Sequence, residues 1–279
     1  MNKNYKNYDK KLVDDFGKEW TFYDQRDLSD KEIAVLFDQY FDIFPMNDLN
    51  KNKIGFDFGC GSGRWAKFIL PKVKKLICID ASLAALNVAK QNLKYFDNSE
   101  FECSTSSNLS LKTNSMDFGY SLGVLHHLPD PEDGLLKCVE KLKKGAPFLL
   151  YLYYKFDNRP RWYVLIWNII NIFRILISKL PFVIKLPISY FIALIIYFPL
   201  AKISLLLEKL NINISNIPLS WYRNYSFKVM ANDSLDRFGT RIEKRYLKKE
   251  IKQLMINSGL EKINFSSKAP FWCAIGYKK

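Results

Sequence analysis

The residues best suited to chemistry surround one glycine-rich turn. Gly59, Gly61 and Gly63 alternate with other residues directly after a short apolar run. Asp57 lies within that run, and a second apolar run ends at Asp80, 17 residues after Gly63. Glycine has no Cβ, so a ligand can lie close to this backbone. An acidic residue at the end of the second strand of a doubly wound sheet accepts hydrogen bonds from ribose hydroxyls. The pattern therefore predicts a site for a ribose-bearing ligand.

A second group of candidates lies in one loop. The chain has two histidines, His126 and His127, and Asp130 follows them closely. One interpretation is that a histidine packs beneath the loop as part of the structure. The other is that His127 or His126 acts as a base or an orienting group, with Asp130 as a further candidate, since such side chains commonly accept protons. No metal is expected, because adjacent side chains seldom bind one ion and there is no third histidine.

The elements that position these residues are short apolar strands alternating with helical segments. Strands are predicted before the glycine turn, before Asp80, near 100–103, and in the runs 116–122 and 146–151. This alternation predicts an α/β fold with a mostly parallel sheet. An amphipathic helix is predicted over 247–258, ending at a C-cap glycine. Two terminal strands are predicted after it.

Four segments in order resemble the motifs of the class I S-adenosylmethionine (SAM) methyltransferases: the glycine turn, the strand ending at Asp80, and the runs 116–130 and 142–151. The third run is similar to that of the ubiquinone and menaquinone methyltransferases. The resemblance covers roughly 50–155 and, more weakly, 233–279. It implies a Rossmann-like, seven-stranded sheet with helices on both faces, SAM as cofactor, and methyl transfer.

The resemblance also implies which residues contact the cofactor. Those around its methionine part are Asp57, Gly59, Cys60, Gly61 and Gly63, the one at its ribose is Asp80, and Ala81 is a further cofactor contact. Many relatives carry an Asp near the adenine amino group. This chain has hydroxyls there, so Thr105 and Ser106 are expected to take that place. Ser121, at the end of the fourth strand, is expected under the cofactor.

Composition and charge indicate the compartment of the protein and the kind of partner it attracts. Five cysteines without a C-x-x-C pair predict buried thiols in a reducing compartment. No signal peptide is predicted, so a cytoplasmic location is expected. The net charge of +14 is concentrated in residues 156–279, which contain 20 Lys and Arg residues but 7 Asp and Glu residues. A basic field attracts anionic partners such as lipid headgroups, nucleic acid or a phosphate-bearing substrate. The alternative is a solvated basic face without a partner.

Four regions are expected along the chain: an N-terminal helical cover (1–50), a SAM-binding core (51–155), a hydrophobic and basic helical insertion (156–230), and a C-terminal helix and strands that complete the sheet (231–279). A membrane span is not expected in the insertion, because its longest uncharged stretch, 186–201, holds 16 residues and two prolines, whereas a span needs about 20 apolar residues.

The insertion is expected to begin with an amphipathic helix. On a helical projection, five polar side chains fall on one arc opposite an apolar face: Arg161, Asn168, Asn171, Arg174 and Ser178. This pattern is typical of a helix in a membrane interface. An anionic membrane surface is therefore an expected partner through residues 161–207, which would place the protein at the cytoplasmic face of a membrane. The alternative is a helical lid packed over the core.

Arginines, a tyrosine and an aspartate are candidates for the acceptor pocket, because Arg forks suit carboxylate or phosphate recognition: Arg159, Tyr222, Arg223, Asp236 and Arg237. The alternative is an ion-pair network inside the insertion. The expected activity is methyl transfer to a small-molecule, glycan or lipid-linked acceptor. The basic half raises an RNA methyltransferase as an alternative, although a nucleic-acid partner is not expected because no RNA-binding module is recognisable. A non-catalytic SAM-binding scaffold at a membrane is a third.

Overall fold

The computed structural model describes residues 7–26 and 28–279. The chain divides into two compact units. Unit 1 comprises the part up to Tyr154 together with Ile242–Lys279, and unit 2 is Lys155–Arg241. The glycine turn, the histidine loop and the terminal strands therefore belong to unit 1, and the hydrophobic insertion belongs to unit 2.

Unit 1 is built on a seven-stranded sheet, counted over the described residues, with the order β3-β2-β1-β4-β5-β7-β6. Strands β1 to β5 are parallel, whereas β7 is antiparallel to both β5 and β6. The predicted Rossmann-like, mostly parallel sheet is confirmed. The strands are β1 Ile54–Phe58, β2 Lys75–Asp80, β3 Ser99–Cys103, β4 Phe118–Leu122, β5 Pro147–Tyr151, β6 Leu260–Phe265 and β7 Ala274–Lys278.

Ten α-helices occur in the described part of the chain, of which the sixth to ninth belong to unit 2. They are α1 Lys10–Phe22, α2 Asp30–Phe41, α3 Ala66–Ile69, α4 Leu83–Asn92, α5 Pro131–Lys141, α6 Arg161–Ser178, α7 Phe182–Ile192, α8 Phe198–Lys209, α9 Phe227–Gly239 and α10 Lys248–Asn257. A π-helical segment, Ala193–Tyr197, joins α7 to α8 without a break, so the two form one continuous helix.

Local sequence explains where the helices near the site begin. The Ser82 hydroxyl accepts a hydrogen bond from the Ala85 N–H (3.4 Å) at the start of α4. The Asp130 carboxylate accepts one from the Asp133 N–H (3.1 Å) at the start of α5. Both side chains satisfy a backbone donor that has no partner inside the helix. Asp130 therefore has a structural role as the cap of α5.

The two central strands fit together through reciprocal glycine–phenylalanine contacts. Gly55 of β1 lies beside Phe118 of β4, and Phe56 lies beside Gly119. A Cβ added at Gly119 would lie 2.5 Å from the Phe56 ring, and one at Gly55 would overlap the Phe118 ring. Each ring thus fills the space that its neighbouring glycine leaves open, and both rings are buried.

Unit 2 is inserted between two parts of unit 1 that are neighbours in space. The Tyr246 N–H donates to the Tyr153 carbonyl (2.8 Å), and Tyr154 forms a parallel bridge with Tyr246. The Lys244 N–H donates to the His126 carbonyl (3.0 Å). The chain therefore leaves unit 1 after β5 and returns beside the point where it left.

Two expectations for the insertion differ from the structure. The compact unit ends at Arg241 instead of residue 230, because α9 packs against α6 and α7. By length and composition alone, α6 and the continuous helix Phe182–Lys209 are long and apolar enough to cross a membrane. The prolines Pro187 and Pro199, which were expected to limit the apolar segment, do not interrupt that helix.

The expected orientation of the amphipathic helix is also corrected. Arg174 and Ser178, on its polar arc, are buried within the protein. The Arg174 guanidinium donates from Nη1 to the Thr240 carbonyl (2.9 Å) and from Nε to Asn171 Oδ1 (2.7 Å). This part of the polar arc therefore faces protein, whereas Asn168 and Arg161 on the same arc are exposed.

We predict that Gly119→Ala destabilises unit 1 by about 1–3 kcal/mol, because the added methyl group overpacks the contact with Phe56. The free energy of unfolding from a urea titration measures the effect. Tyr95→Ala, at a side chain that is 83% exposed, is the control and should stay within about 0.5 kcal/mol of the unaltered protein. Equal stability of Gly119→Ala and the control would show that the two strands can separate without cost.

Candidate active site

The glycine turn connects β1 to the following helical turn in a conformation that favours glycine. Gly59, Gly61 and Gly63 have φ angles of 79°, 53° and 76°, a region that side chains with a Cβ rarely adopt. The N–H groups of Gly59 and Cys60 donate to the Ile79 carbonyl at 2.8 and 2.9 Å. The turn is thereby attached to the end of β2, at the carboxyl edge of the parallel strands, where open α/β sheets bind ligands.

Asp80 is the last residue of β2 at this edge. Its Oδ2 accepts a hydrogen bond from the Gly61 N–H (3.0 Å) and its Oδ1 accepts one from the Ser82 N–H (2.8 Å). Burial raises the pKa of Asp80, and the N–H groups of Ser82, Gly61 and Ala81 oppose that shift because they favour the charged form. A carboxylate oxygen accepts more than one hydrogen bond, so Asp80 keeps acceptor capacity for hydroxyl groups of a ligand.

Asp57 is the second acidic group at this edge. It is buried, and its Oδ2 has no hydrogen-bond partner among the described residues. Burial raises the pKa of Asp57 to about 8; the Tyr120 hydroxyl and Arg64 lower it, and the charge of Asp80 raises it further. A cation placed beside this carboxyl group would favour its charged form. Asp57 therefore suits a positively charged ligand group.

Helix α1 covers the edge from above. Gly17 lies against the Ser82 side chain, and a Cβ added at Gly61 would lie 2.7 Å from the Trp20 ring. The Phe16 ring is 5.1 Å from the His127 ring between centroids. The structure thus brings the predicted N-terminal cover against the glycine turn, the start of α4 and the histidine loop together.

The other predicted cofactor residues are in varied environments. Thr105 donates from its hydroxyl to Asn108 Oδ1 (2.7 Å), and the Ser106 hydroxyl accepts a hydrogen bond from Asn7 (3.3 Å). Ser121 is buried at the end of β4, and its hydroxyl has no partner among the described residues. Ser121 therefore retains its full hydrogen-bonding capacity, whereas the Thr105 hydroxyl already holds a local turn. Cys60 is buried within the glycine turn, and Ala81 directly follows Asp80.

The two histidines are buried side by side after β4. His127 Nδ1 lies 2.6 Å from the Ile242 carbonyl oxygen. A carbonyl oxygen can only accept, so Nδ1 carries a proton, and in the neutral tautomer that keeps this hydrogen bond Nε2 carries the lone pair. The His126 ring stacks on Tyr153 with centroids 4.0 Å apart, and neither of its nitrogens has a partner among the described residues. Burial, to which the neighbouring His127 and Arg245 add, holds the pKa of His126 well below its usual value.

A buried ion pair beside the histidines escaped the sequence analysis. Arg245 Nε donates to Glu243 Oε1 at 2.7 Å, and the Arg245 guanidinium lies 5.1 Å from the centre of the Tyr153 ring. Glu243 Oε2 is buried without a partner among the described residues. These residues follow the histidine loop by more than 100 positions, and an alternating charged segment is usually read as a solvated surface, so no local signal points to them.

The predicted acceptor residues all lie in unit 2, where each has a local contact. Arg223 forms a two-point pair with Glu208, at 2.7 and 2.8 Å. The Tyr222 hydroxyl donates to Asp233 Oδ2 (2.8 Å). The remaining contacts are those of Arg159 with the Ser215 carbonyl, of Asp236 with the Thr240 hydroxyl, and of Arg237 with the Tyr197 ring. These contacts support the alternative of a network inside the insertion, and the acceptor role stays a prediction.

Comparison with known proteins agrees with this geometry. Residues 56–150 match the family described as a methyltransferase domain. The chain contains a class I SAM-dependent methyltransferase domain. That match spans β1 to β5 and includes the glycine turn, Asp80 and both histidines. The enzyme is accordingly a SAM-dependent methyltransferase, with SAM as its cofactor. A search of the curated proteins finds no match.

Two solved structures share the fold of the methyltransferase. One is a chain from the Haloferax volcanii complex between the Trm112 methyltransferase activator and a protein described as a methyltransferase. That chain is 12% identical to this one, the match covers 94% of this chain and 96% of that chain, and the TM-score is 0.51. The other is a SAM-dependent methyltransferase of Thermotoga maritima, 16% identical, with 96% and 100% covered and a TM-score of 0.50. At these identities the likeness concerns the fold.

The site fits SAM on its own chemistry. SAM carries hydroxyls on its ribose and positive charges on its sulfonium and amino groups. Asp80 has acceptor capacity for the hydroxyls, and Oδ2 of the buried Asp57 carboxyl group has no hydrogen-bond partner among the described residues. The three glycines leave the backbone of the turn open to close approach. When bound, SAM supplies an activated methyl group.

We predict that Asp80→Asn weakens SAM binding at least tenfold, because the amide removes a charge and presents donors toward the Gly61 or Ser82 N–H. Calorimetric titration with SAM and S-adenosylhomocysteine measures the effect. Asp97→Asn, the same change at an exposed position after α4, is the matched control and should bind both as the unaltered enzyme does. Unchanged affinity in Asp80→Asn would remove the ribose role.

We predict that SAM binding releases protons between pH 7 and 8. Asp57, with a pKa of about 8, is largely protonated below pH 8, and a cation beside it lowers that pKa, so binding expels part of one proton. SAM affinity should therefore rise with pH toward 8. Calorimetry in two buffers with different ionisation enthalpies measures the release.

The matched variant for this prediction is Asp57→Asn, which has no proton to release. Its SAM affinity should be flat over the same pH range. Proton release of equal size in Asp57→Asn would assign the effect to another group.

Proposed function

We propose that the enzyme methylates a small-molecule or lipid-linked acceptor at the carboxyl edge of the sheet, with His127 as the proton acceptor. The observation that carries this proposal is the tautomer of His127. Its Nδ1 donates to the Ile242 carbonyl (2.6 Å), which leaves Nε2 with a lone pair. The His127 ring lies in the loop after β4. Helix α1 covers the glycine turn and packs against the His127 ring through Phe16.

The enclosure of the histidines favours a small acceptor. Both rings are buried and are bounded by Phe16 on α1 and Tyr153 after β5. A polymeric acceptor would have to open these contacts to reach His127, whereas a small group can enter a closed pocket. An aromatic lining also suits an acceptor with an apolar or aromatic body. The similarity of residues 116–130 to the ubiquinone and menaquinone methyltransferases is consistent with such an acceptor.

The chain's residues would divide the work of the reaction. Asp80 and the glycine turn hold the cofactor, and Asp57 bears the counter-charge for its cationic end. Helix α1 excludes water from the edge. As the acceptor atom bonds to the methyl carbon and the carbon–sulfur bond breaks, the acceptor loses its proton to His127 Nε2. Orientation and proton removal are the two contributions a protein can make to such a displacement.

We predict that His127→Gln lowers kcat at least about 100-fold, because the amide cannot take up a proton. The SAM dissociation constant should stay unchanged. The assay follows release of S-adenosylhomocysteine with phenol, amine and carboxylate acceptors offered in solution and in phospholipid vesicles.

Other outcomes of this assay would favour other functions. Loss of turnover in Asp130→Asn with full turnover in His127→Gln would make Asp130 the base, since asparagine also serves as a helix cap. Turnover with RNA, weakening as salt rises, would favour the RNA methyltransferase. SAM binding without turnover on any acceptor would favour a scaffold.

A further inference from the structure

Helices α6, α7 and α8 of unit 2, with the π-helical segment, bury small or polar side chains and expose large apolar ones. In α6, α7, the π-helical segment and α8, the fully buried residues are small or polar, and none of them is Leu, Ile, Val or Phe: Arg174, Ser178, Lys185, Ser189, Ala193, Tyr197, Ala201 and Ser204. In a helix of a water-soluble protein the buried face carries the large apolar residues. Here that rule is reversed over more than 40 residues.

The inward face packs against α9 along α6, α7 and the π-helical segment, and against the turn Ser220–Asn224 along α8. Its buried positions recur every fourth residue from Lys185 to Ala201, which places them on one side of the continuous helix. Small residues on this side let helices approach closely, as they do in membrane proteins. The Ser234 hydroxyl of α9 donates to the Ser189 carbonyl (2.9 Å), and Arg174 donates to the Thr240 carbonyl just after α9. These two hydrogen bonds tie α6 and α7 to α9 and the residue after it.

The outward face is apolar and large. Nineteen apolar side chains of these helices are exposed, far more than the scattered apolar residues of an ordinary surface: Trp162, Leu165, Ile166, Ile169, Ile172, Phe173, Ile175, Leu176, Val183, Ile184, Tyr190, Phe191, Leu194, Ile195, Ile196, Phe198, Ile203, Leu206 and, directly after α8, Leu210. We call this set the apolar face. Its exposure to water would be strongly unfavourable.

Basic residues border the apolar face. Arg161 and Lys179 lie at the two ends of α6, and Lys202 and Lys209 lie on α8; all four are exposed. The one acidic residue of these helices, Glu208, is paired with Arg223. Unit 2 as a whole has 12 Lys and Arg against 4 Asp and Glu. Lysine and arginine around an apolar helix surface are the pattern that anionic lipid surfaces attract.

We propose that the apolar face is embedded in one leaflet of a bilayer that contains anionic lipids. Charge complementarity favours lipid as the occupant, because a second copy of the chain would bring the same basic border against itself. The embedding is one-sided. Helix α9 lies against the inner face of α6 and α7 and carries Asp233, Asp236 and Arg237, which hydrocarbon would exclude. This proposal is independent of the acceptor and of methyl transfer.

We predict that the full chain floats with vesicles of phosphatidylcholine and phosphatidylglycerol and stays bound at high salt, because apolar contacts dominate. Ile172→Glu with Phe191→Glu should reduce partitioning at least about tenfold. These side chains are 60% and 58% exposed, so the change leaves the interior intact. The matched control, Val35→Glu with Tyr95→Glu, adds the same charge at exposed positions of unit 1 (44% and 83%) and should still float.

Three outcomes would overturn the embedding. In the first, the unaltered chain does not float with the vesicles. In the second, salt alone releases both the unaltered chain and the control from the vesicles. In the third, the chain is a dimer without lipid, and the Ile172→Glu and Phe191→Glu pair converts it to a monomer. The last would assign the apolar face to a second copy. SAM binding measured on the same variants keeps this test separate from the enzyme function, since it should be equal in all of them.

Discussion

One carboxylate organises the cofactor edge of the enzyme. Asp80 accepts hydrogen bonds from the N–H groups of Gly61 and Ser82, so a single buried acid joins the turn after β1 to the start of α4. Helix α1 then packs on the same two residues, through Trp20 and Gly17. The surface on which the cover packs is therefore one that the Asp80 carboxylate helps to fix. Removing its charge would affect the ligand contacts and the cover at once.

The parts of the fold that sequence could predict are those with local causes. A glycine turn needs positive φ angles at fixed positions, which Gly59, Gly61 and Gly63 show. The Ser82 cap depends only on the residues that follow it. The order and alternation of strands predict a mostly parallel sheet, and the structure has one. The reciprocal contacts of Gly55 and Gly119 with phenylalanine depend on strand register, which the sequence does not display.

The parts that could not be predicted depend on contacts between distant segments. Glu243 and Arg245 reach the histidines because the chain returns there from unit 2. A helical projection identifies which residues of α6 lie on the same face. It does not show whether that face contacts protein, water or lipid. Arg174 was placed toward a membrane interface on the expectation that polar faces meet water. Its guanidinium instead donates to the carbonyl of Thr240, the residue directly after α9. The acceptor candidates were ambiguous for the same reason, since arginine forks suit Glu208 as well as a substrate.

The close approach of Tyr154 and Tyr246 has a consequence for the history of the chain. Because the backbone leaves and re-enters the methyltransferase domain at adjacent positions, the intervening 87 residues, Lys155–Arg241, form a closed excursion. A change in the length of such an excursion costs little closure entropy and leaves the strand register unaltered. The segment can thus be acquired, lengthened or exchanged as a cassette. The residues of the cofactor edge, all of them in unit 1, stay the same through such changes.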